Sequence, residues 1–175
     1  MRGALKGAIF RALDAEQVAY ALIGAVALAA RGVSRSTADL DLLTTELRVL
    51  RFDWLALLPD GAEVVVRKGD HDDPLAGVIA FTAADEEPVD LVVGRWKWMQ
   101  EAIGRAERLD LGFAQVPVLT VADLALTKID AGGPNDLQDL GRLLDVHGEA
   151  LVEEIERRMP DLQGMLATWD RFRQR

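Results

Sequence analysis

Apolar and polar positions change period several times along the chain, and each change marks an element. Leu5, Ile9, Phe10 and Leu13 recur at helical spacing and predict an amphipathic first helix ending near Glu16. Residues 18–23 form an apolar run, read as a buried strand. Residues 24–31 read as an alanine-rich helix, with Gly32 suited to the left-handed position beyond its end. Over 39–43 two aspartates alternate with leucines, the period-two signature of a strand. Leu47, Leu50, Trp54, Leu55 and Leu58 predict a second amphipathic helix, closed by the turn Pro59-Asp60-Gly61.

Strands are expected over 63–67, 77–82 and 89–94, the last β-branched and carrying a lone aspartate, Asp90. Residues 96–107 predict a helix and 113–119 a last strand. Thr120 followed by Asp123 resembles a capping box and opens a helix to about Ala131. Gly132-Gly133-Pro134 breaks that helix, and Pro134 suits the first turn of the next. Leu137, Leu140, Leu143 and Leu144, and then 151–159 and 162–172, keep helical spacing to the end. No internal repeat interrupts the pattern. The expectation is an α/β (α+β) fold: a mixed β-sheet flanked by helices over 1–119, with a helical C-terminal region, 120–175, packed on it as one domain.

Composition narrows the chemistry. At 175 residues, half of them apolar and 28% charged, the chain fits one soluble domain with a real core. It has no cysteine, which excludes disulfides and thiolate metal sites. Its two histidines, His71 and His147, argue against a zinc site. A formal charge of −9 argues against wrapping nucleic acid nonspecifically. The longest apolar run, 18–30, is too short to span a bilayer, and the first residues lack a signal peptide's apolar region. A cytoplasmic protein without a membrane partner is expected.

The candidate chemistry centres on residues 23–42. In an extended strand Asp39 and Asp41 share one face, while Leu40 and Leu42 pack on the other. Two carboxylates ~4 Å apart repel by ~4 kcal/mol at an effective dielectric of ~20. A divalent cation reverses that sign. The strand is therefore read as metal-binding, placed after a glycine turn at Gly24 that can receive a phosphate. Asp90, in an apolar strand without a basic neighbour in sequence, is read as a third carboxylate of the site. His71 with Asp70, Asp72 and Asp73, and the run Asp85-Glu86-Glu87, are read as solvated loops. Trp96 and Trp98 cannot share a helix face, which leaves one of them exposed.

The order of glycine turn, helix, Asp-x-Asp strand and later aspartate strand resembles the nucleotidyltransferase superfamily, the DNA polymerase β-like fold. Gly24-Ala25, Asp39-Leu40-Asp41 and Asp90 carry the resemblance. Within it, residues 35–42 look most like the AbiEii-like abortive-infection branch. Leu126-Thr127-Lys128-Ile129-Asp130-Ala131 and Asp136-Leu137-Gln138-Asp139-Leu140 are similar to that branch's lysine helix and following Asp-x-x-Asp helix.

The resemblance implies a nucleotidyltransferase-like mixed sheet and a metal-dependent enzyme. Such an enzyme moves an NMP group from an NTP to a hydroxyl acceptor on an RNA end, a protein or a small molecule. It implies Mg2+ (or Mn2+) on Asp39, Asp41 and Asp90, and Lys128 among the catalytic residues. The nucleotide would be held by Gly24, Ala25, Arg35, Thr37, Lys128 and Asp136. A toxin-like role with an antitoxin partner belongs to the same branch. The family usually carries serine or a second glycine where this chain has Ala25. Backbone donors survive that change and a hydroxyl contact does not. The alternative is a degenerate member that binds a nucleotide or a partner protein without catalysis.

Overall fold

A computed structural model describes residues 4–34, 39–70, 73–159 and 163–174, with the side chain of Gln163 left out. The chain opens with helix α1 (Ala4–Ala15), strand β1 (Tyr20–Ile23) and helix α2 (Gly24–Ala30), followed by β2 (Leu40–Thr44). Strands β3 (Glu63–Lys68), β4 (Leu75–Thr82) and β5 (Val89–Gly94) come next, then α3 (Lys97–Gly104), β6 (Glu107–Asp110) and β7 (Gln115–Val118). Helices α4 (Val121–Ala131), α5 (Pro134–Arg158) and α6 (Gln163–Arg173) end it. Within α5, Gly148 is non-helical at φ 65°, ψ −155° and divides the helix.

The strands form one mixed sheet in the order β3-β4-β5-β2-β1-β7-β6. β2 runs parallel to β5, and β1 parallel to β7, while the other neighbours are antiparallel. Residues in register share a face, so the two faces can be read off row by row. Leu22, Leu42, Leu91 and Ile79 line up across β1, β2, β5 and β4, and all four are fully buried. Each such side chain contributes roughly 1.5–3 kcal/mol of burial. One row away on the opposite face stand Ile23, Asp41, Asp90, Ala80 and Val65. None of these five is fully enclosed, so that face of the sheet carries the polar chemistry.

Two elements differ from expectation. The predicted helix over 47–58 is two short 3-10 turns, Leu47–Arg51 and Trp54–Ala56. Phe52 between them is extended, at φ −66°, ψ 145°. The break buries Trp54, whose Nε1 donates to the carbonyl of Val49 at 2.9 Å and whose ring packs against Phe52 and Phe81. A continuous helix would give up that anchor. The helix expected over 96–107 ends at Gly104, and Glu107 instead opens β6, which hairpins onto β7. Gly112, at φ 80°, makes the turn, and its N–H donates to Asp110 Oδ1 at 2.8 Å.

The helix ends follow their sequence signals. Thr120 caps α4 by accepting from the Asp123 N–H, Gly132 closes it in the left-handed conformation, and Pro134 starts α5. The run Asp85-Glu86-Glu87 is more than a solvated loop. Glu86 accepts the N–H groups of Ala4 and Leu5 at the start of α1, and Glu87 pairs with Lys6.

Candidate active site

The site grows from the end of β1. Ile23 lies in register with Asp41, and the chain turns at Gly24, φ 67°, directly into α2. A left-handed φ favours glycine, and here space demands it as well. A Cβ on Gly24 would lie 1.9 Å from Asp41 Oδ2 and 2.7 Å from its Cγ. The Asp41 carboxylate therefore rests against bare backbone at the strand-to-helix turn. Ala25 behind it is buried.

On the other side of Asp41 the parallel pairing of β2 with β5 sets Asp41 beside Asp90. Neighbouring strands are about 4.8 Å apart, so the two carboxylates leave one face side by side. Asp39 is exposed, one residue before β2. Burial pushes the Asp90 carboxyl above its ordinary range; Arg67 opposes that rise and the charge of Asp39 adds to it. Arg67 reaches this face from β3, where it lies in register with Val78, two rows from Val65 and Ala80. Sequence reading gave it no role, because only the pairing of β3, β4 and β5 brings it to Asp90.

The oxygen-only donor set of Asp39, Asp41 and Asp90 suits a hard divalent cation, and the space that a side chain on Gly24 would take is filled by the Asp41 carboxylate. Among the described residues no three His, Cys, Asp or Glu side chains are already drawn together as a metal site. Arg35 and Thr37 lie outside the described residues, as do His71 and Asp72.

Lys128 and Asp136 come together as a second group. Lys128, in the last turn of α4, is 9% exposed, and its Nζ sits 2.9 Å from Asp136 Oδ1 and 3.0 Å from Asp139 Oδ2. Asp136 is in the first turn of α5, where the helix dipole favours an acid. Asp139 is 1% exposed and also meets Arg142. The lysine is thus a buried hub between two helices rather than a solvated side chain.

A third cluster went unread. Asp123, expected only to help cap α4, is wholly buried and accepts from Arg105, Arg158 and Thr120. Burial would raise its pKa, but the hydrogen bonds from Arg105 and Thr120 and the charges of Arg158 and Arg105 hold it below the usual carboxylate range. This knot ties α3, α4 and α5 together at the base of the lysine helix. Its signal in the sequence was a carboxylate inside an otherwise apolar helical face. Of Trp96 and Trp98, Trp96 is the exposed one.

No known family profile matches the sequence, and no curated protein does. Solved structures do. The solution structure of the antibiotic-resistance factor ANT(2'')-Ia superposes with a TM-score of 0.60 at 17% identity, covering 97% of this chain and 95% of that one. A crystal structure of ANT(2")-Ia in complex with adenylyl-2"-tobramycin gives 0.53 at 18% identity, covering 96% and 97%. An antigenic nucleotidyltransferase-like protein from Paracoccidioides brasiliensis gives 0.50 at 18% identity, covering 94% and 93%. The fold this chain shares with them is the nucleotidyltransferase fold.

Proposed function

We propose that the chain is a metal-dependent nucleotidyltransferase that moves an NMP group from an NTP to a hydroxyl acceptor. The observation that supports it most is the grouping of Gly24, Asp41 and Asp90. Bare backbone at a strand-to-helix turn abuts a carboxylate, and a second carboxylate stands beside it in register. Asp39, Asp41 and Asp90 would hold Mg2+ or Mn2+, which would supply Lewis-acid charge for the triphosphate and the attacking oxygen.

This chain's own groups supply the rest. The acceptor oxygen bonds to the α-phosphorus, the bond to the pyrophosphate oxygen breaks, and the hydroxyl proton goes to a carboxylate. Gly24 gives the Asp41 carboxylate its place against the backbone. Lys128 and Asp136, paired between α4 and α5, and Arg35 and Thr37, outside the described residues, are the further groups that the family resemblance offers to the nucleotide.

Small-molecule acceptors are the first class to test, because ANT(2")-Ia was captured with adenylyl-2"-tobramycin. An RNA end or a protein hydroxyl comes next. The finer likeness to AbiEii-like proteins, with a toxin-like role and an antitoxin partner, rests on residues 35–42 and on the Lys128 and Asp136 segments. The setting proposed is cytoplasmic. Among the described residues no helix is long and apolar enough to cross a membrane.

Ala25 favours a second reading, in which the fold binds a nucleotide without turnover. Incubation with each labelled NTP and Mg2+ or Mn2+, across a panel of acceptors, separates the two. Pyrophosphate release that is lost in Asp41→Asn supports transfer. Saturable nucleotide binding without pyrophosphate supports the degenerate reading.

A further inference from the structure

Strand β3 ends the sheet, and its outer edge pairs with no described strand. Such an edge offers a row of backbone donors and acceptors, and proteins blunt it with proline, bulges or inward-pointing charge. β3 has no proline and no bulge against β4, and its charges, Glu63, Arg67 and Lys68, stand at its ends. Its six residues, Glu-Val-Val-Val-Arg-Lys, keep an unbroken register with β4. Val65 and Val66 are 50% and 40% exposed. Leu55 and Leu57, at and just after the 3-10 turn packed beside β3, are exposed too.

The order of charges along this edge is self-complementary. In an antiparallel pair about a twofold axis, residues facing each other must lie on the same face, so they are an even number of positions apart. Centred on Val65, that pairing sets Val65 against its own copy and Val64 against Val66. Glu63 then faces Arg67, twice by symmetry. Among the described residues the side chains of Glu63 and Arg67 make no hydrogen bond or ion pair within the chain, though the charge of Arg67 also acts on Asp90. A shift of one residue pair, to an axis at Val66, would bring Val65 against Arg67 and lose the match.

We propose that β3 is a homodimerisation edge, joining two copies antiparallel about Val65 into one continuous sheet. The occupant is a second copy because the edge complements itself in both charge and apolar pattern.

The test is sedimentation velocity of the full chain over a wide concentration range, with charge reversals. The expected result is a reversible monomer–dimer equilibrium. Glu63→Arg alone sets Arg against Arg67, and Arg67→Glu alone sets Glu63 against Glu. Each reversal makes both symmetric pairs repulsive and raises the dissociation constant about tenfold or more. Mixing the two variants in equal amounts restores every pair and re-forms a dimer.

Far-UV circular dichroism shows whether each variant is folded. Because the chain has no cysteine, Val65→Cys gives an independent measurement. Positions facing each other across antiparallel strands are 4.5–5.5 Å apart, within disulfide reach, so the introduced thiol should cross-link dimers under mild oxidation. A wild type that stays monomeric, a dimer indifferent to the reversals, or a mixture that fails to recover would each overturn the proposal. So would a Val65→Cys protein that does not cross-link.

Discussion

Asp41 carries its carboxylate so close to the backbone of Gly24 that a Cβ there would fall 1.9 Å from Oδ2. The glycine and the aspartate occupy the same small space, and neither can change without moving the other. Gly24→Ala therefore carries two penalties, a left-handed φ of 67° on a residue with a side chain and a collision with the carboxylate. The strain alone is worth about 1–3 kcal/mol. Urea denaturation should show a loss at least that large. Asp41→Gly in the same background should recover part of it, because the colliding group is gone. A Gly24→Ala protein as stable as wild type would mean that the carboxylate moves aside freely.

Asp90 gives a pH signature. Its folded pKa is raised by burial, so between an ordinary carboxylate pKa of about 4 and the raised value the folded chain holds a proton that the unfolded chain has lost. Stability from this group is present below that window and declines as pH rises through it. Asp90→Asn removes the decline. The variant should be the more stable protein at neutral pH, by a margin that shrinks as pH falls towards 4. Parallel urea titrations from about pH 4 to 7 check the sign. A margin that grows with acid would show a carboxylate stabilised by a partner instead.

How far the sequence reaches is clearest in these same residues. The alternation of Asp39 and Asp41 with leucines and the apolar run around Asp90 were local patterns; β5 stands where expected, and β2 starts one residue late, leaving Asp39 before it. Their register was not local. Which residue of β5 stands beside Asp41 is decided by the packing of the whole sheet, and so is the arrival of Arg67 from β3. The same limit explains Asp123. Its spacing from Thr120 announced a cap, but its partners Arg105 and Arg158 come from helices on either side in sequence. β6 was masked for a different reason: the alternation Glu107-Arg108-Leu109-Asp110-Leu111 is short and directly follows a strongly helical run. The sequence also suggested a helix around Trp54, where the indole's need for a hydrogen-bond partner outweighed the apolar spacing.

Lys128 is buried between two helices, which changes what its removal should do. Lys128→Ala removes the amine 3.0 Å from Asp139, a carboxylate 1% exposed that also meets Arg142. Breaking one side of a buried pair weakens the compensation of the charge that stays, and the loss here should reach about 3 kcal/mol. Loss of activity in that variant would therefore mix folding with chemistry. Adding Asp139→Asn should return much of the stability by removing the stranded charge. Nucleotide binding measured in the double variant by calorimetry then isolates the role of the lysine. Restored stability with lost affinity assigns Lys128 to the phosphates; restored stability with full affinity makes it a strut.

The sharpest test falls on Asp41, where stability and chemistry should move in opposite directions. Beside Asp90 in register, the Asp41 carboxylate repels a neighbouring acid when no cation is present. Asp41→Asn should thus leave the metal-free protein as stable as wild type or slightly more so. The same change removes a hard anionic oxygen and should abolish metal-dependent transfer. Mg2+ should raise the melting temperature of the wild type, because a ligand bound only by the folded chain stabilises it by mass action. With a non-hydrolysable NTP present the rise should be larger, and in Asp41→Asn both rises should shrink. A structural aspartate would behave the other way. The Asn variant would melt earlier, and Mg2+ would change neither protein. Thermal melts of the two proteins, with and without Mg2+ and nucleotide, decide between a site built to hold a cation and a carboxylate that only holds the turn at Gly24.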